Sequence, residues 1–196
     1  AYDVAPPEAW RRTPSMVQEF YNLRRKSVLE ARPNGAHLAL KRREQKYDVT
    51  IITQNIDDLH ERAGSSDVIH LHGIITRSQS DKDPRLTYAI DGWEIRMGET
   101  CELGSQLRPH VVWFGEPVPM IEKAAAICTG ADIFCIIGTS LQVYPAAGLI
   151  DFVRGGAAKF LVDPGAPSIT DPGIRVIRQK AVAGVGQLVD QLLETA

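Results

Sequence analysis

The stretch that most restricts what this chain can become is VTIITQNIDDLHERAGSSDVIHLHG, residues 49–73. Residues 49–53 are a β-branched run with the length and composition of a buried strand, and the run breaks into polar residues at Gln54. Polar side chains just past the carboxyl end of such a strand lie where open α/β sheets bind ligands. Here Gln54, Asn55 and Asp57 arrive together, with Ile56 in the same loop. A short helix follows, ended by Gly64. A second strand, residues 68–71, then delivers His72 to the rim of the same sheet, with Gly73 behind it to let another chain approach closely. An amide, a carboxylate and an imidazole converge on one crevice.

Further along, the apolar run from Asp132 to Ile137 reads as a second fully buried strand opening into Gly138, Thr139 and Ser140. Strand, glycine and two hydroxyls is phosphate- or ribose-binding grammar, because small residues let backbone amides reach the ligand while hydroxyls donate. The pairing of TQNID with HLHG, followed in order by GTS and by VYPAA at residues 143–147, resembles the sirtuins, the NAD-dependent protein-lysine deacylases. It is most similar to the bacterial class III sirtuins, which remove acidic acyl groups as well as acetyl. The alternation of strands and helices gives an α/β parallel sheet of Rossmann type. The expected organisation is a Rossmann-type domain in two parts, residues 1–76 and 108–196, interrupted by a small lobe at 77–107.

That lobe is rich in charge, glycine and proline, and many sirtuins hold the corresponding segment with four zinc-binding cysteines. Only Cys101 is present there, and one thiolate cannot make a tetrahedral site, so no zinc is expected and the lobe is held by packing or is partly disordered. Cys128 and Cys135 read as core, and the odd number of cysteines argues against a disulfide framework.

Composition bounds the remaining classes. A length of 196 residues with 44% hydrophobic content suits one domain, or one large and one small. The net charge of -2 implies no bulk attraction to nucleic acid or to anionic lipid. No span reaches the ~18 apolar residues of a membrane helix and no leader precedes Ala1, so the expected compartment is the cytoplasm.

At the other end, residues 1–12 lead into Thr13-Pro14, an N-cap with proline at the first helical position. Val17, Phe20, Tyr21, Arg24 and Val28 recur at three- and four-residue steps, which puts an arginine in an apolar stripe. One reading is a snorkelling stem with a wet guanidinium. The other is that Tyr21 and Arg24, one turn apart, clamp a carboxylate. FYNLRR fits the YxxR pattern of class III sirtuins, and the resemblance favours the clamp.

The resemblance implies the remaining roles. NAD is consumed as a co-substrate: Asp57 holds the nicotinamide carboxamide, while Gln54 and Asn55 position the ribose. Gly138, Thr139 and Ser140 form the NAD segment, Asp163 stands where sirtuins usually place a ribose-binding asparagine, and Ala181 borders adenine. Val112 and Phe114 line the acyl-lysine tunnel, Gly115 and Glu116 form the peptide rim, and Val143 and Tyr144 belong to the adjoining substrate segment. Asn55 and His72 are the catalytic pair, with His72 as the base, and the products are free lysine, nicotinamide and O-acyl-ADP-ribose. Sirtuins carry a Gly-rich strand-turn-helix before the point where these residues begin, so a complete NAD site is expected to need residues upstream of Ala1. Two other classes share the residues: transfer of ADP-ribose to protein with the same His72, and a non-catalytic NAD-binding module. Asn55, Asp57 and His72 argue against the module, since binding needs no base, whereas the absent Gly-rich loop argues for it.

Overall fold

The structure, a computed structural model, describes residues 7–139, 145–166 and 171–195. Ser140, Val143 and Tyr144 lie outside the described residues. In chain order the elements are α1 (Pro7–Arg12), α2 (Pro14–Glu30), α3 (Gly35–Arg43), β1 (Ile51–Thr53), α4 (Leu59–Arg62), β2 (Val68–His70), β3 (Gly73–Ser80), β4 (Thr87–Ala89), β5 (Leu107–Val111), α5 (Ile121–Thr129), β6 (Ile133–Ile137), a 3-10 helix (Ala146–Phe152), β7 (Ala158–Val162), β8 (Ile174–Ile177) and α6 (Ala181–Thr195). They fall into two compact units, neither contiguous in sequence. The first holds Ala1–Arg32, Thr53–Asp58 and His70–Val118; the second holds Pro33–Ile52, Leu59–Ile69 and Pro119–Ala196.

In the first unit, α2 begins at Pro14 as the sequence predicts, but Thr13 does not cap it. Its hydroxyl donates to the Ala9 carbonyl, closing the unexpected helix α1 instead. The buried face of α2 is Val17, Gln18, Tyr21, Asn22 and Arg25. The arginine in the buried stripe is therefore Arg25, and Arg24 is exposed, a correction to the sequence reading. Polar groups account for the offset: Gln18, Asn22 and Arg25 are buried because each bonds main chain, a role that no hydrophobic periodicity detects. Trp10, Val17, Tyr21, Ile75, Val111 and Trp113 form the apolar core.

Residues 77–107 are ordered around an antiparallel sheet of order β4-β3-β5. At its start Gly73 pairs with Val111 at a φ of +81°, and a Cβ there would stand 2.2 Å from the His110 carbonyl oxygen. The close approach that the sequence suggested is thus a main-chain crossing only glycine can make. Cys101 is buried with its thiol donating to the Ser80 hydroxyl at 3.2 Å. Among the described residues no group of three or more His, Cys, Asp or Glu side chains is placed to hold a metal, and the single thiol of this lobe, Cys101, cannot supply a four-thiolate zinc site. Elemental analysis is expected to find no stoichiometric zinc; one zinc per chain would show the lobe to be misread.

The second unit is a parallel sheet of order β6-β7-β8, in register from Ile133 opposite Ala158 to Ile137 opposite Val162. Val162, Val185, Leu188 and Val189 are sealed in its core together with Ala39, Leu40 and Ile51. Helix α6 comes so close that a Cβ on Gly184 would lie 2.5 Å from Val162 Cγ1. Strand β6 is only partly buried, apart from Ile136, which corrects the fully buried strand of the sequence reading. Its physical reason is position: among the described residues β6 pairs only with β7 and so forms an edge. Helix α3 is capped by Asn34, whose side chain accepts from the amides of Ala36 and His37, while His37 Nδ1 accepts from the Asn34 amide. His37 is a structural cap, in line with the capping-box logic.

Strands β1 and β2 are also parallel: the Ile51 amide donates to Asp67 and the Leu71 amide to Thr53, so both chains advance together. Among the described residues no helix is long and apolar enough to cross a membrane.

Candidate active site

Where β1 ends, the chain turns under its own control. The Thr53 hydroxyl accepts the Asn55 amide at 3.0 Å, fixing the first residues of the polar loop. The loop's carbonyls are then shared among neighbours within the first unit. Gln54 O faces His72 Nδ1 at 3.2 Å, Asn55 O faces His70 Nδ1 at 3.3 Å, and Ile56 O accepts the Ile75 amide at 2.7 Å. The His72 carbonyl in turn accepts the Val112 amide at 2.9 Å. Loop 54–57, His72 and Val112 are therefore one hydrogen-bonded assembly, built from segments that the sequence singled out separately.

The His72 contact decides its chemistry. A carbonyl oxygen can only accept, so in the neutral ring the proton sits on Nδ1 and the lone pair on Nε2. Such a ring is a base at Nε2. His110, in β5, faces Gln79 Oε1 at 2.8 Å through Nδ1. Burial first, then the positive charges of Arg77 and Arg108, hold its pKa below the ordinary 6.5.

Around the following loop, Arg108 forms a bidentate pair with Glu116 at 2.8 and 3.1 Å and lies 3.5 Å over the Trp113 ring. Glu116 also accepts the Trp113 amide at 2.8 Å. Burial alone would raise the Glu116 pKa, but these bonds outweigh it and hold the carboxyl below its usual range. Val112 is half-buried, whereas Phe114 is 67% exposed and Gly115 is exposed with a φ of +87°. Trp113 donates its indole N–H to the Tyr21 hydroxyl at 3.1 Å, so that oxygen is an acceptor there and keeps its own proton to give. Burial first, only partly opposed by the indole bond and by Arg24, raises the Tyr21 pKa, which keeps the phenol protonated. The Arg24 guanidinium lies 5.3 Å from the Phe20 ring centre, and among the described residues it makes no hydrogen bond or ion pair. The Trp113 contact and the Arg108–Glu116 pair were not read from sequence; a buried Trp with a basic residue five positions before it and an acidic one three after gives no local signal.

The remaining predicted residues belong to the second unit. Gly138 and Asp163 follow the paired strand ends Ile137 and Val162, so they are neighbours on the carboxyl rim of a parallel sheet, the edge where such sheets take ligands. Gly138 has a φ of +62° with open space where a Cβ would be. Asp163 spends one oxygen on the Gly165 amide at 2.7 Å and keeps the other. Thr139 follows Gly138, and Ala181 opens the fifteen-residue helix α6 just beyond β8, at the same rim. Open backbone, an acceptor and a helix N-terminus suit a ribose and phosphate ligand.

Comparison with known proteins places these features. The Sir2 family pattern matches residues 1–145. The chain belongs to the Sir2 family. This Sir2 chain is 48% identical over 196 residues to the NAD-dependent protein deacylase of Bacteroides thetaiotaomicron, covering 97% of this chain and 84% of the relative. It is 45% identical to the NAD-dependent protein deacylase of Helicobacter pylori, covering 99% and 85%. Among solved structures, a Sir2 homologue mutant in complex with ADP-ribose superposes with a TM-score of 0.90 at 34% identity, over 99% of this chain and 80% of that one. A Sir2 homologue in complex with NAD gives 0.88 at 34% identity, over 98% and 77%. The Rossmann-type α/β fold expected from the strand and helix alternation is the fold of this Sir2 chain.

Proposed function

We propose that this Sir2 chain removes acyl groups from protein lysines while consuming NAD, in the cytoplasm. The observation that carries the proposal is the His72 ring, held through Nδ1 by the Gln54 carbonyl so that Nε2 is the basic nitrogen beside loop 54–57. The relatives named NAD-dependent protein deacylase and the NAD and ADP-ribose complexes support it, as does Sir2Tm bound to a propionylated peptide, with a TM-score of 0.79 and 28% identity over 99% of this chain and 84% of that one.

NAD, when bound, supplies a ribose carbon that takes the acyl oxygen as nicotinamide departs. The chain's own contribution is to bind, orient and move one proton. Asp57 accepts from the carboxamide, and Gln54 and Asn55 hold the adjoining ribose. Gly138, Thr139, Asp163 and Ala181 receive the adenosine side. His72 Nε2 takes a proton from a ribose hydroxyl, the step a base of that tautomer suits. Val112 and the exposed Phe114 flank the acyl-lysine, and because the Glu116 carboxylate is engaged by Arg108, the peptide contact at 115–116 is main chain. In the full-length protein, nicotinamide release should require an acylated peptide and match the acyl groups lost. Label from NAD retained on protein would indicate ADP-ribosyl transfer instead.

The acyl group is set by Tyr21 and Arg24, whose free phenolic proton and unengaged guanidinium suit the terminal carboxylate of succinyl or malonyl chains. Arg24 is exposed, so its charge-assisted bond belongs at the lower end of the usual range, about 1.5 kcal/mol or roughly tenfold. Arg24→Met should cut desuccinylation and demalonylation about tenfold, with Tyr21→Phe losing less, while deacetylation of the same peptide holds. Parallel losses on both acyl groups would reduce Arg24 to a support of the fold.

A further inference from the structure

Arg25 is a buried charge with no counter-ion among the described residues. Its side chain has no exposed surface, and no carboxylate pairs with it among the described residues. Its Nε donates to the Ile75 carbonyl at 2.5 Å, and its Nη1 donates to Asn22 Oδ1 at 2.7 Å and to the Trp93 carbonyl at 2.9 Å. Nη2 finds no partner. Desolvation lowers the guanidinium pKa to about 10, which leaves it charged at neutral pH. Burying a cation against neutral dipoles alone is costly, so the arrangement calls for a return elsewhere.

That return lies two bonds away. The same Ile75 whose carbonyl holds Arg25 donates its amide to Ile56, the residue between Asn55 and Asp57. Asn22, anchored to Arg25, grips Ile95 from both sides, accepting its amide at 2.9 Å and donating to its carbonyl at 3.0 Å. One guanidinium therefore ties α2 to β3 and to the segment carrying Trp93 and Ile95, and through β3 to loop 54–57.

We infer that Arg25 is a positioning residue for deacylation: its planar fork fixes the main chain at Ile75 through the carbonyl, and the amide of the same residue fixes Ile56 and with it Asn55 and Asp57. The inference rests on the function proposed above for that loop. Lysine cannot substitute, because one ammonium on a flexible stem does not reproduce two donors in a plane. A misplacement of about 1 Å at such groups costs on the order of 10²-fold in rate.

The test compares Arg25→Met, Arg25→Lys and Asn22→Ala in the full-length protein, at a temperature where circular dichroism shows each to be folded. Arg25→Met should lower kcat on the order of 10²-fold and Arg25→Lys by less, with faster amide exchange at Ile75 and over residues 54–57. Asn22→Ala releases Ile95 but spares the Arg25 bonds to Ile75 and Trp93, so its kcat should stay within a few-fold of wild type. Should Arg25→Met fail to fold, Arg25→Lys carries the comparison. A folded Arg25 variant with wild-type kcat and unchanged exchange at Ile75 would overturn the inference. Inactivity of the wild-type protein would instead strike the proposed function, and the exchange data would still judge the link from Arg25 to Ile56.

Discussion

His72→Ala is expected to abolish deacylation while NAD still binds, a loss on the order of 10²- to 10⁴-fold in kcat. The size follows from what is removed: the imidazole whose Nδ1 is held by the Gln54 carbonyl and whose Nε2 is assigned as the base. NAD affinity should hold within a few-fold, since the groups assigned to it sit in the loop and on the rim of the parallel sheet. His110→Ala is the control. That ring faces Gln79, burial lowers its pKa, and it is the next candidate for the base. Steady-state rates on one acylated peptide, with NAD binding followed by calorimetry, decide the matter. Substantial turnover in His72→Ala that disappears only with His110→Ala would move the base to His110.

The second large effect is on stability. Gly73→Ala places a methyl carbon 2.2 Å from the His110 carbonyl oxygen and 2.9 Å from Val111 Cα, all main-chain atoms that no rotamer change can clear. The strands must part where Gly73 faces Val111, and alanine must also adopt a φ of +81°. Left-handed backbone costs about 1–2 kcal/mol outside glycine, and overpacking costs about 1–3 kcal/mol. Together they predict a loss of about 2–5 kcal/mol, or roughly 4–20 °C in Tm. Urea titration of the two proteins reads this directly, and a difference below about 1 kcal/mol would falsify the clash. Gly184→Ala is the instructive contrast, because its close neighbour is the movable tip of Val162 rather than backbone.

Much of the site was legible in sequence because the same residues carry local and functional signals. A β-branched run, a polar loop and a histidine followed by glycine announce strands, a rim and a close crossing, and loop 54–57, His72 and Gly73 stand where that pattern puts them. What was hidden is what depends on partners distant in sequence. Thr13 has the right type for a cap, but α1 supplies a nearer acceptor in Ala9. Arg25 could not be told from Arg24, since both sit in RR and the buried face is chosen by carbonyls 50 and 68 residues away.

The partition of the chain also dictates the order in which it can be made. Everything in the first unit has been synthesised once Val118 is reached. The second unit starts at Pro33, yet α3 closes against α6, with the Tyr47 hydroxyl reaching a carbonyl 145 residues later. Its core cannot assemble until α6 has left the ribosome, so α3 and β1 are made well before their apolar partners. Pairings at such separation are slow to close. All residues of the His72 assembly are thus made while the second unit still lacks α6, and the stage most exposed to aggregation is the one just before α6 arrives.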